Sequence, residues 1–190
     1  AIMTARMVTG TALLPRLIKA KGGKIIPFDN PKSLGISDEI LFKIRNGMEA
    51  AVNDIDGTAY KSRIINPNFR FAGKTGTAQV RRITEAEREI GVTKNDDLPW
   101  KRRDHALFTG YAPTKNPKFV ISVIVEHGGG GSAVAAPIAR DIMLYARDSK
   151  IPSVSSYPTD QRDDISIRLK QLKNISKKNK KINQPFGTQT

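Results

Sequence analysis

Strict alternation along the chain is clearest at Phe69-Arg-Phe-Ala-Gly-Lys-Thr-Gly-Thr-Ala-Gln-Val80. Phe69, Phe71, Gly73, Thr75, Thr77 and Gln79 fall on one side of an extended backbone. Arg70, Ala72, Lys74, Gly76, Ala78 and Val80 fall on the other, the period-2 pattern of a strand. Helical spacing precedes it twice. Ile2, Met3, Arg6 and Met7 predict a helix over residues 1–9 that Gly10 can end. Ser37, followed by Asp38 and Glu39, predicts a capped start. The helix it opens runs to about Asn53, with an apolar set of Ile40, Leu41, Ile44, Met48, Ala51 and Val52. Between these helices, Leu13–Lys19 and Lys24–Pro27 read as short extended pieces around Gly22-Gly23, and Gly57-Thr58-Ala59 as a turn or short helix.

Two apolar runs follow the first strand, His105–Ala112 and Phe119–Glu126, joined by the turn-forming Pro113-Thr-Lys-Asn-Pro-Lys118. They predict an antiparallel hairpin. The second run is apolar at nearly every position, as in a strand covered on both faces. Gly128–Gly131 then lead through Ser132 into a helix over about Ala133–Arg147, with Val134, Ile138, Ile142 and Tyr145 along one side. Residues 81–104 break the pattern. They form a long charged connection whose one large aromatic is Trp100, and loops of that length are usually functional or mobile. After Ile151 the chain is rich in Ser, Asn and Lys, with Pro152 and Pro158. Disorder is expected there, except for a short amphipathic helix over Ile165–Leu172.

Composition narrows the possibilities. With 190 residues, 38% hydrophobic and 26% charged, the chain can bury one sizeable core. It contains no cysteine, so neither disulfides nor thiolate metal sites are available. Two distant histidines among scattered carboxylates match no ligand spacing, and no metal or cofactor is expected. No run approaches the roughly 20 apolar residues of a membrane span. The sequence begins at Ala1 without methionine, and a longer parent is expected. The net charge of +14 includes nine Lys or Arg against three Asp in 149–190. The basic residues are not interleaved with aromatics, so a solvated basic surface is favoured over a nucleic-acid site. The glycine run lacks the Lys-Ser/Thr ending of a nucleotide loop.

Chemistry concentrates in Lys74-Thr75-Gly76-Thr77. Two glycines flank a lone lysine in a strand, which marks a close approach of ligand or backbone. A cation with hydroxyls two residues apart makes a cradle for a carboxylate or oxyanion. This stretch resembles the Lys-Thr-Gly motif of penicillin-binding proteins and serine β-lactamases. Further stretches agree, in order: Met3-Thr4-Ala5, Gly57-Thr58-Ala59, Arg103-Asp104-His105-Ala106-Leu107-Phe108, Gly110-Tyr111-Ala112-Pro113, Glu126-His127-Gly128-Gly129-Gly130-Gly131-Ser132 and Ala136-Pro137-Ile138-Ala139-Arg140. Together they resemble the C-terminal part of a class B penicillin-binding protein of the elongation type (penicillin-binding protein 2), over roughly residues 1–148.

The resemblance implies an α/β (α+β) transpeptidase-like fold, an antiparallel sheet with helices on both faces, here only its C-terminal part. Residues 1–148 would be that part of the domain and 149–190 a basic, disordered tail. It implies a peptidoglycan D,D-transpeptidase acting in cell-wall elongation, with stem peptides and β-lactams as ligands. A membrane-anchored parent, the elongation machinery as partner and a place on the periplasmic face of the inner membrane are likewise implied. Lys74 would bring positive charge to the substrate carboxylate, Thr75 and Thr77 hydroxyls, and the Thr77 backbone N–H an oxyanion donor. Gly76 would leave room for the acyl group, and the strand edge could pair with the extended substrate.

The family's nucleophile lies in Ser-x-x-Lys, with a second Ser-x-Asn element, both N-terminal to Lys-Thr-Gly. No serine from Ser33 to Ser176 has Lys at i+3 or Asn at i+2. His105 and His127 form no serine triad pattern and read as structural. The chain therefore carries a binding wall without its nucleophile, and acyl transfer by the isolated piece is not expected. With the N-terminal part of the fold missing, the hairpin is expected to expose apolar surface and an unpaired edge. The alternative is a non-catalytic module that binds peptidoglycan peptides or a partner protein through the same cradle.

Overall fold

The computed structural model describes residues 1–28 and 30–182, with side chains as far as 175. Helix α1 (Ile2–Thr9) ends on Gly10, whose left-handed backbone (φ 71°) lets its N–H reach Arg6 O. A short hairpin of β1 (Ala20–Lys21) and β2 (Lys24–Ile25) follows. It stands off the body as an arm, tied at its base where Ala12 N–H donates to Lys32 O at 2.8 Å. Helix α2 (Asp38–Asn53) starts where the Ser37 hydroxyl accepts from Ile40 N–H, as expected. Leu41, Met48 and Val52 are its buried side; Ile40 is exposed.

The centre is a three-stranded antiparallel sheet in the order β3 (Ala72–Ala78), β4 (His105–Ala112) and β5 (Phe119–Val125). β3 pairs with β4 from Ala72 opposite Tyr111 to Ala78 opposite His105, and β4 with β5 from Ala106 opposite Val125 to Ala112 opposite Phe119. Period 2 sends alternate side chains of β4 to opposite faces. Ala106, Phe108 and Ala112 join the main core with helix α4 (Ala136–Asp148). On the other face, Tyr111 and Ala72 pack with Val8 of α1 and with Met48 and Ile44 of α2. There the Thr4 and Thr109 hydroxyls meet at 2.7 Å. Helices thus pack on both faces of the sheet, those of the second face over β3 and β4.

Three expectations change. β5 is not covered on both sides: its burial alternates, and Val120 and Ile124 are exposed. The helix expected from Ala133 opens with a wide π turn over Gly131–Ala135, and α4 buries Ala136, Ala139, Arg140, Met143 and Leu144. Its small alanines let the helix approach the sheet closely, while Ile138, Ile142 and Tyr145 face outward.

The third concerns the tail, which as far as Ile182 forms turns and a helix where disorder was expected; the rest of that expectation lies outside the described residues. Turns at Val154–Ser156 and Thr159–Gln161 lead into helix α5 (Arg162–Ile182), longer than the short amphipathic helix of the sequence reading. Tyr157 and Ile165 are 1% and 2% exposed and belong to the main core, with Leu169 packed against it. The buried Arg140 guanidinium lies over the Tyr157 ring, 4.5 Å from its centre. It donates to Asp141 Oδ1 at 2.9 Å and Gln161 Oε1 at 3.0 Å. A few anchors fold a segment whose average composition is too polar to suggest it. The basic cluster Lys177–Lys181 lies beyond the described side chains.

Candidate functional site

β3 is an edge strand of its sheet among the described residues, so its outer backbone groups are available for pairing. Lys74 is exposed and stands opposite Thr109; its Nζ donates to Thr75 O at 2.8 Å. Two hollows flank it. One, of about 460 Å³, is lined by Met3, Met7, Ile44, Met48 and Thr109. The other, of about 420 Å³, is bordered by Asp54, Asp56, Gly57 and Thr58. Thr75 points to the opposite face, where its Oγ1 donates to Thr58 Oγ1 at 3.1 Å. Gly76 is half-buried and Thr77 exposed. The strand brings the four predicted residues together but divides them: the cation lies on one face and the two hydroxyls on the other, converging at the strand edge.

Glycine makes this strand buildable. A methyl group at Gly73 would sit 2.2 Å from the Phe108 ring and 2.6 Å from Thr109 O; one at Gly110 would sit 2.4 Å from Ala72 O. Absence of side chains at this cross-strand pair leaves room for the Phe108 ring. The run Gly128–Gly131 backs the same strand. A methyl at Gly131 would lie 2.3 Å from Leu107 O and 2.4 Å from Gly76 O, so the π turn rests directly on the Gly76 backbone.

Residues 81–104 fold back on themselves. Helix α3 (Glu85–Ile90) is capped by the Thr84 hydroxyl accepting from Glu87 N–H. The Glu87 carboxylate accepts from Arg81 Nη1 at 2.6 Å and from Thr93 N–H at 3.2 Å. The Arg81 hydrogen bond, then the Thr93 backbone bond, draw its pKa down to about 2. Asp104 closes the loop: its Oδ1 accepts from Val80 N–H and its Oδ2 from Asn95 Nδ2. The histidines lie here too, edge to face with ring centres 4.8 Å apart, and Trp100 meets the His127 ring in the same manner at 4.6 Å.

Burial raises the Tyr111 hydroxyl pKa to about 12, the charge of Glu49 adding and that of Arg45 opposing; it stays neutral behind the strand. A cation, hydroxyl donors and a free strand edge can bind an extended peptide carboxylate. Lys74 Nζ is engaged with the Thr75 carbonyl and Thr75 Oγ1 with Thr58, so these contacts do not activate the Thr75 hydroxyl as a nucleophile. Thr58 and Asp104 stand within resembling stretches of the sequence but carry no role there, and Asp54 and Asp56 have no signal at all. Asp54, Asp56 and Thr58 follow a helix end in a turn, where polar residues are ordinary, and Asp104 sits in a run of charges.

A family profile described as the penicillin binding protein transpeptidase domain matches residues 1–144. The peptidoglycan D,D-transpeptidase MrdA of Haemophilus influenzae is 38% identical over 172 residues, covering 86% of this chain and 25% of that protein. MrdA of Escherichia coli K12 is 31% identical over 160 residues, covering 76% and 23%. Among solved structures, PBP2 of Pseudomonas aeruginosa in complex with WCK 5153 has a TM-score of 0.56 at 30% identity, covering 83% of this chain and 31% of that one. PBP2 of Helicobacter pylori, solved with MreC, has a TM-score of 0.56 at 28% identity, covering 78% and 24%. The chain spans about a quarter of the length of the curated relatives it matches.

Proposed function

The chain belongs to the penicillin-binding protein transpeptidase family, as the C-terminal portion of a domain of the elongation type, and from that premise we propose that it supplies the substrate-binding wall of a peptidoglycan D,D-transpeptidase. The observation that carries this is the placement of Lys74-Thr75-Gly76-Thr77 on a free sheet edge with a hollow on each side of the lysine.

In this reading a stem peptide or β-lactam lies along the outer edge of β3. The exposed Lys74 ammonium meets its carboxylate, as a point charge does, and the Thr75 and Thr77 hydroxyls donate to the same group. The Thr77 backbone N–H serves as an oxyanion donor, a contribution of about 10²–10³ in rate for a single donor. Gly76, kept free of bulk, leaves space for the acyl group. The nucleophile comes from sequence outside residues 1–190, and the chain alone is inactive. Residues 1–148 form the C-terminal part of the transpeptidase domain, and 149–190 a basic extension whose root docks on it. Among the described residues no helix is long and apolar enough to cross a membrane. The periplasmic face of the inner membrane, and elongation partners of the kind seen with the Helicobacter relative, follow from the family.

Two measurements test this. The 190-residue chain is incubated with a β-lactam and its intact mass recorded; a stoichiometric adduct would refute inactivity. The chain is then placed in the corresponding region of Haemophilus influenzae MrdA, and the chimera is labelled with a fluorescent penicillin. Labelling that falls about 10²-fold in Lys74→Ala is expected. Equal labelling of that variant would sink the role given to Lys74.

A further inference from the structure

Segments far apart in sequence meet at Asp104-His105. Asp104 holds Val80, just past β3, through its carboxylate at 3.3 Å, and Gly129 through its carbonyl oxygen, which accepts from Gly129 N–H at 2.8 Å. His105 holds the residue before the glycine run: the His127 N–H donates to His105 Nδ1 at 2.9 Å. The His127 ring returns to the same segment, with Nδ1 3.0 Å from Arg103 O.

These contacts select proton positions. A backbone N–H can only donate, so His105 Nδ1 must be an unprotonated acceptor, and a neutral ring then carries its proton on Nε2. A carbonyl can only accept, so His127 Nδ1 must carry a proton. His127 also sits in the left-handed region (φ 55°), which an unrestrained non-glycine residue rarely adopts. Its backbone is kept there by bonds from both its ring and its N–H, with the ring in contact with Trp100 and His105.

The glycine run that follows rests on β3 at Gly76, where Gly131 leaves no space for a methyl group. The segment 103–105 therefore governs the Gly76–Val80 stretch from two sides. It holds the Val80 end directly and the Gly76 backbone through the run. Thr77 lies between these points.

We infer that His105, as the tautomer with a bare Nδ1, is a positioning residue: it locks His127 and the glycine run, and through them sets the place of Gly76 and the Thr77 N–H. The catalytic meaning of that place rests on the transpeptidase reading above; the lock itself does not.

The test separates a lock from simple packing. Asparagine places an acceptor oxygen near Nδ1, whereas glutamine places its polar atoms near Nε2. Imidazole nitrogen resonances of the 190-residue chain should show His105 Nδ1 bare and His127 Nδ1 protonated. His105→Asn should keep the Gly76 and Thr77 amide shifts. His105→Gln should move them and speed His127 amide exchange about 5–10-fold, the loss of one hydrogen bond. A protonated His105 Nδ1, or equal behaviour of the two variants, would overturn the inference. In the MrdA chimera, His105→Gln should slow acylation about tenfold with non-covalent affinity unchanged, and His105→Asn should restore it. Equal acylation by the two variants would overturn the catalytic consequence. A chimera that never labels would count against the transpeptidase reading, while the resonances still decide the lock.

Discussion

Two regions of this chain use glycine for opposite reasons. In the arm, Gly22 and Gly23 have positive φ (56° and 75°) and a side chain on either would meet nothing within 4 Å. There glycine serves the turn. Against the sheet, Gly131 has ordinary φ but sits with backbone oxygens 2.3–2.4 Å from where a methyl would be. There glycine serves an approach between backbones. The surroundings differ in the same sense: Leu17 of the arm is fully exposed and Leu14, Ile18, Ile25 and Phe28 largely so, while Phe108 beside the strand is 1% exposed. The same residue type therefore marks a loosely attached piece in one place and the tightest packing in the other.

Identical substitutions break the comparison most directly. Gly131→Ala is expected to cost about 1–3 kcal/mol or more in chemical denaturation, because the atoms it meets are backbone and cannot rotate away. Gly23→Ala imposes a left-handed cost of roughly 1–2 kcal/mol, but on an arm that can open without the core. Faster exchange confined to residues 19–26 is expected, with the global midpoint shifted by less than about 0.5 kcal/mol. A smaller Gly131 effect than Gly23 effect would reverse the assignment. The third prediction concerns a region between these extremes. The lowered Glu87 pKa makes the Arg81–Glu87 contribution complete above the ordinary carboxylate range and lost as pH falls toward about 2. Protection of the α3 amides, taken relative to the intrinsic exchange rate at each pH, should fall over that window and that of the sheet should be unaffected by this pair. Protection in α3 that holds constant there would remove Glu87 as the loop's fastener.

The strands were legible because each carries a pattern that only one geometry satisfies. The Lys-Thr-Gly strand alternates, His105–Ala112 is an apolar run ended by a Pro-rich turn, and Ser37 and Gly10 mark helix ends with side-chain and backbone chemistry of their own. The motif residues were legible as a set, since a lysine between glycines in a strand has few structural excuses. What stayed hidden depends on contacts across long sequence distance. Nothing local in Tyr157 or Ile165 announces a core position, because their partners are residues such as Arg140 and Met143. Size does not announce the buried side of α4 for the same reason: the large Ile138, Ile142 and Tyr145 face outward, while Ala136 and Ala139 make the close contact alongside Arg140, Met143 and Leu144. The role of Asp104 required knowing that Val80, Asn95 and Gly129 converge on it.

The Arg140 guanidinium has a consequence for synthesis. Its partners Tyr157 and Gln161 are made after every strand of the sheet and after α4 itself. Chains grow from the N-terminus and domains fold as units, so this core is incomplete until those residues leave the ribosome. A product released at 148 would lose the Tyr157 ring and the Gln161 acceptor, opening the Arg140 guanidinium and its Asp141 partner to water, where such a pair contributes at most about 1 kcal/mol. Such an early-terminated product would be removed by proteolysis faster than one ending after 165, which makes residues 149–165 a checkpoint on completeness.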